Sequence, residues 1–130
     1  MEFRRTYSGA PWESQVGYCR ALRAGAHIYV TGTAPVTDEG GVFAPGDAYA
    51  QAQRCLEIIE RALEDLDAHR SCVVRTRMFV TDISRWQEFG RAHRDFFGEQ
   101  RPATTMVEVK ALVDPAMLIE VEVDAVCPEP

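Results

Sequence analysis

The chain lacks any paired cysteine motif. Its four cysteines, Cys19, Cys55, Cys72 and Cys127, are scattered, and none stands in a C-x-x-C pair. The three histidines, His27, His69 and His93, complete no zinc pattern with them. His69 and Cys72 are close in sequence, but two ligands do not make a site. The expectation is reduced, mostly buried thiols in a cytoplasmic protein, with no metal and no cofactor. A long apolar run is also missing. The longest charge-free stretch, Ala24 to Thr37, is too short to span a bilayer and contains His27, two glycines and a proline. Arg4 and Arg5 are not followed by an apolar stretch, so no secretory signal is expected. There is no basic excess: 14 basic residues face 20 acidic ones, for a net charge of -6. That balance argues against a nucleic-acid partner, which usually meets a basic face.

What remains is ordinary globular usage. Charged residues make up 26% and apolar ones 46% of the 130 positions, which excludes a disordered tail, a collagen-like repeat and a coiled coil. No repeat, linker or low-complexity segment is visible, so residues 1–130 form a single domain long enough to bury a core.

Residues from Gly17 to Ala24 and from His27 to Thr33 predict two strands. Turn formers Asp38, Gly40 and Gly41 mark a loop between Pro35 and Pro45. Asp47 is a good helix N-cap. Behind it, Tyr49, Ala52, Leu56, Ile59, Leu63 and Leu66 recur at helical spacing, predicting an amphipathic helix to about Ala68. Cys72 to Thr81 predicts a strand, with Val74, Thr76, Met78 and Val80 on one face and Val73, Arg75, Arg77 and Phe79 on the other. Ser84 and Gln87 have the spacing of a capping box. A second helix carries Trp86, Phe89, His93, Phe96 and Phe97 and stops at Gly98. Thr104 to Lys110 and Leu118 to Val126 predict the last strands, the latter with Ile119, Val121, Val123 and Ala125 on one face.

The order is β-β-α-β-α-β-β: an α+β fold with one mixed sheet of five to six strands and two helices on one face. The other face interleaves Thr, Arg, Phe, Met and Val, which suggests an oligomer.

In this order the motifs resemble the Rid family of reactive-intermediate deaminases, also known as L-PSP endoribonucleases. The resemblance runs from about Gly17 to Val126. It is carried by Tyr18, Val30-Thr31-Gly32, the glutamine-rich start of the first helix (Gln51, Gln53) and the strand ending in Asp82. Phe96-Phe97, Arg101-Pro102-Ala103 and Ile119-Glu120-Val121-Glu122-Val123 complete it. It implies a chorismate-mutase-like subunit and a homotrimer, with small-molecule clefts between subunits.

The family chemistry would be hydrolytic deamination of a small enamine or imine, of the 2-iminobutanoate/2-iminopropanoate type. Glu120 would be the catalytic group, positioning the water. Tyr18, Thr31 and Gly32 would line the substrate site, Gly32 through a backbone that a ligand can approach closely. Without the family context, Tyr18 reads as a half-buried aromatic, Gly32 as a strand bulge and Glu120 as one of a solvated acidic row.

The arginine that follows Pro-Ala in the family is Thr104 here, followed by Thr105. These two take the place of the substrate clamp, and a threonine hydroxyl cannot form a bidentate, charge-assisted grip on a carboxylate. Other family positions read as Ile58, Gly90 and His93. Arg20, Arg75 and Arg77 either supply charge to the cleft or face solvent. His93 is either a general base or a core or interface histidine. The alternative to catalysis is small-molecule binding or sensing in the same cleft, and a ribonuclease is the weakest reading.

Overall fold

The alternation along the last strand dictates how the sheet is covered. Ile119, Val121, Val123 and Ala125 are buried, while Glu120, Glu122 and Asp124 point to the other side. The computed structural model describes residues 2–129. Its main elements are β1 (Phe3–Thr6), β2 (Ala21–Ala24), β3 (His27–Thr33), α1 (Ala48–Asp65), β4 (Val73–Val80), α2 (Trp86–Phe97), β5 (Ala103–Glu108) and β6 (Ile119–Val126). The strands form one six-stranded sheet in the order β1-β2-β3-β6-β4-β5. Every pair is antiparallel except β4–β5. A parallel pair needs a crossover connection, and α2 supplies it. Both helices pack on one face of the sheet, around Leu56, Ile59, Leu63, Phe89 and Val121. This is the expected chorismate-mutase-like α+β architecture. No helix of the described residues is long and apolar enough to cross a membrane.

Several local expectations are corrected. β1 was not foreseen: its sequence, FRRT, shows no apolar alternation. It is held instead by edge pairing to β2 and by the Arg4–Asp67 ion pair at 2.9 Å. The strand expected from Gly17 begins only at Ala21, because Glu13–Gly17 winds into a short π-helical turn. The Ser84/Gln87 capping box does not form. Asp82 accepts from the Ser84 amide and hydroxyl, at 3.0 and 2.6 Å, and starts a 3-10 turn before α2. A carboxylate one turn earlier outcompetes the serine for the free amides. On β4 a bulge between Val73 and Arg75 shifts the register. Val73 is therefore buried with Thr76 and Met78, and Val74 is 47% exposed, the reverse of simple alternation.

The expectation of four reduced thiols is also corrected. Cys72 and Cys127 are joined by a disulfide, with Cα atoms 5.2 Å apart and a sequence separation of 55. They flank the Val73–Ala125 pair, so the antiparallel register brings distant cysteines side by side. Cys19 and Cys55 are free, and burial pushes the Cys55 thiol pKa far up.

Two buried polar side chains lock the chain path. Gln51 accepts from the Leu118 amide at 2.8 Å and donates to the Ala116 carbonyl at 3.0 Å, pinning the approach to β6 onto α1. Arg23, 1% exposed, donates to the carbonyls of Gly25 (2.9 Å), Leu66 (2.7 Å) and Cys127 (2.8 Å). One guanidinium thus ties the β2–β3 turn, the C-terminal end of α1 and the end of β6. The carbonyls that end a helix carry partial negative charge, which suits a cation there.

Candidate active-site cavity

The bulge at the end of β3 creates the site. Regular pairing between β3 and β6 breaks between Val30 and Thr33, which brings Gly32 beside Glu120. A Cβ at Gly32 would stand 2.5 Å from Glu120 Oε2 and 3.1 Å from its Cδ. The glycine leaves the room that the carboxylate occupies, so it acts both as bulge residue and as close-approach residue.

A cavity of about 820 Å³ opens here, lined by Tyr18, Arg20, Thr31, Gly32, Ile58 and Glu120 among others. Burial raises the Glu120 pKa above the ordinary glutamate value; the Arg20 guanidinium opposes that shift and Glu122 adds to it. Desolvation disfavours the charged carboxylate, which moves its titration toward the range useful for proton transfer.

Arg20 proves to be buried, 6% exposed, and the solvated reading fails for it. It forms an ion pair with Glu13 at 3.2 Å and donates to the Gly32 carbonyl (2.9 Å) and to Thr33 Oγ1 (3.2 Å). Its charge is matched by Glu13, and its donors fix the Gly32 turn. Glu13 also accepts from the Ser8 amide at 3.1 Å and is itself buried. Nothing in its sequence surroundings marks Glu13 as important. Thr31 Oγ1 donates to the Cys19 carbonyl at 2.9 Å. Arg77 pairs with Glu122 and Asp124 on the sheet face away from the helices, and Arg75 is exposed.

Arg54 and Arg61 of α1 also reach the cavity. Arg54 is paired with Asp38 and Glu57. Arg61 is exposed and has no carboxylate within ion-pair distance among the described residues. Helical periodicity places Arg61 on a polar face, and only the tertiary structure shows that this face borders a cavity.

The structure separates Thr104 and Thr105 from the other expected site residues. Thr104 lines a second, smaller cavity of about 340 Å³ with His93 and Phe97. Its hydroxyl pairs with Thr76 Oγ1, which also pairs with His93 Nε2 at 2.8 Å. Burial lowers the His93 pKa, so the imidazole is held neutral within this hydrogen-bonded chain. Thr105 is exposed on β5 and lines neither cavity.

Gly32→Ala tests the geometry at the bulge. The atom in the way is the end of a flexible side chain, so the cost in stability is expected to stay within about 1 kcal/mol in a urea melt. The displaced Glu120 carboxylate is expected to reduce any turnover at least about tenfold.

Fold and cavity together define a chorismate-mutase-like α+β fold with a cavity beside a half-buried carboxylate. The chain belongs to the Rid, or endoribonuclease L-PSP, family, whose model matches residues 9–127. Rv2704 of Mycobacterium tuberculosis, a member of the YjgF/YER057c/UK114 family, is similar in structure. Its TM-score is 0.87 at 45% identity, over 96% of this chain and 99% of that one. The YjgF gene product of Escherichia coli superposes with a TM-score of 0.80 at 29% identity, over 93% and 95% of the two chains. The 3-aminoacrylate deaminase RutC of Acinetobacter baylyi is 32% identical over 104 residues, covering 80% of this chain and 82% of that protein.

Proposed function

We propose that the protein hydrolyses a small imine or enamine to a carbonyl compound and ammonia, in clefts completed by neighbouring copies in a homotrimer. The observation that carries this reading is Glu120, a carboxylate with a raised pKa set against Gly32 inside a cavity. Glu120 orients water and accepts its proton as the oxygen adds to the imine carbon. The proton passes to nitrogen to give a carbinolamine; Glu120 then moves the hydroxyl proton to nitrogen as the C–N bond breaks, leaving a carbonyl and ammonia. Similarity to a 3-aminoacrylate deaminase supports the reaction class. The sheet face away from the helices supports assembly, since it leaves Tyr29 and Val107 exposed. A neighbouring copy brings the β5 edge, with Thr104 and Thr105, to the cavity mouth, where Tyr18 and Thr31 hold the substrate.

With Thr104 in place of a clamping arginine and Arg20 matched by Glu13, the site favours a substrate without a carboxylate. Imines generated in situ by an amino-acid oxidase test this when native protein is compared with Thr104→Arg. The variant is expected to gain about tenfold or more on carboxylate-bearing imines, the worth of a hydrogen bond to a charged group. No gain would remove Thr104 from the substrate site.

A second reading is non-catalytic binding in the same cavity. It is favoured by the internal engagement of the Thr104 hydroxyl with Thr76. It predicts thermal stabilisation by a ligand with no product formed.

A further inference from the structure

We propose that Cys72, Cys127 and His69 form a zinc site in the dithiol state of the protein, a site that closes when the two thiols are oxidised to the disulfide. The three residues each offer a ligand atom, and these atoms all lie within 4.8 Å of one another. Two sulfurs bound tetrahedrally to zinc at about 2.3 Å stand about 3.8 Å apart, and a sulfur and an imidazole nitrogen about 3.5 Å apart. The cluster therefore needs only small shifts to accept the ion.

The local fold presents the ligands from ordered elements. His69, in extended backbone, precedes the 3-10 turn Arg70–Cys72, so that one tight turn separates it from Cys72. The Cys72 amide donates to the His69 carbonyl at 2.9 Å. Cys127 is fixed at the end of β6 by its amide, which donates to the Ala26 carbonyl at 2.8 Å, and by Arg23, which donates to its carbonyl. The Ser71 hydroxyl engages Nδ1 of His69, the kind of outer contact that holds a ligating imidazole in place.

Charge and access both suit a divalent ion. Two thiolates cancel the charge of Zn²⁺, so the bound site adds no net charge to a place where Cys72 and Cys127 are only 8% and 7% exposed. His69 is exposed, which leaves an entry path and a fourth position for water. A thiolate–imidazole set matches zinc better than a hard oxygen-seeking cation. The site lies seven residues along the chain from Glu120, about 23 Å in extended strand, and is independent of the deaminase reading.

The two states interconvert with ordinary thiol chemistry. Two equivalents of an external thiol RSH break the Sγ–Sγ bond. They supply two electrons and two protons, and leave as RS–SR while Cys72 and Cys127 become thiols. Zinc then displaces the two thiol protons, and a ring nitrogen of His69 donates a lone pair.

Reduced full-length protein, titrated with Co²⁺ and then with Zn²⁺ against a chromophoric chelator, tests the proposal. One cobalt per chain is expected, with a near-ultraviolet thiolate-to-cobalt absorption that zinc abolishes. Oxidised protein is expected to take up none. His69→Ala, at an exposed position that leaves the fold intact, is expected to weaken zinc binding on the order of a hundredfold. Cys72→Ser is expected to lose the absorption. Equal zinc uptake by reduced and oxidised protein would overturn the proposal. So would equal affinity in native protein and His69→Ala, or failure of reduced protein to compete with the chelator.

Discussion

Glu120→Gln is expected to lower imine or enamine turnover by about 10²- to 10⁴-fold, the range that a positioned general acid–base group supplies. Gln keeps the shape and can still touch water, but it cannot take the proton. Native activity is expected to fall as pH drops through the Glu120 pKa, and that limb lies above the ordinary glutamate value of 4.5 because burial disfavours the ionised form.

The same shift has a consequence for stability, with a definite sign. A carboxyl whose folded pKa is raised binds its proton more tightly in the native state than in the unfolded one. Its contribution is fully present below the unfolded pKa and is lost as pH rises through the folded value. At neutral pH the ionised Glu120 is therefore a cost to the fold. Glu120→Gln is expected to unfold at higher urea than native protein at pH 7, with the gap closing toward pH 4. A variant both inactive and more stable is the behaviour of a residue kept for chemistry. A row of solvated carboxylates would show neither effect.

The largest expected loss of stability is at Arg23. Arg23→Met removes the shared donor of three backbone carbonyls and leaves them facing a buried thioether. Hydrogen bonds to a charged group are worth about 1.5–3 kcal/mol each, and stranding buried partners is costly. A total loss of about 4 kcal/mol is expected, a large part of the 5–15 kcal/mol that holds a domain of this size. Chemical denaturation should show the midpoint falling with little change in slope. Arg23→Lys should recover part of the loss, since an ammonium keeps the charge but not the spread of donors. An unchanged midpoint in Arg23→Met would mean that water replaces the guanidinium at no cost.

The elements that fold by burying one face were legible as patterns. The i, i+3, i+4 spacing from Tyr49 to Leu66 and the alternation from Ile119 to Ala125 each mark a face that must be covered, and α1 and β6 bury those faces. Elements held by other means were not legible. β1 is an edge strand held by backbone pairing and one ion pair, which leave no hydrophobic period. The bulge on β4 inverts Val73 and Val74 because register depends on the partner strand, not on the strand's own residues.

The site divides along the same line. Tyr18, Thr31, Gly32 and Glu120, named from family resemblance, line one cavity. Glu13 and Arg61 were invisible because their roles come from what packs beside them. Arg20 could face the cleft or solvent on sequence alone, since arginine is usually exposed, and only the Glu13 pair offsets the cost of its burial. The Cys72–Cys127 link needed the β4–β6 register, which no spacing of four cysteines can supply.

The most direct test of the account is ammonia release from imines generated in situ, carboxylate-bearing ones by an amino-acid oxidase and uncharged ones by an amine oxidase, measured with native protein and with Glu120→Gln. The account predicts that native protein accelerates release over the uncatalysed rate and that Glu120→Gln returns it to near that rate. A native protein that gives no acceleration across carboxylate-bearing and uncharged imines would contradict it, as would a Glu120→Gln variant that turns over as fast as native.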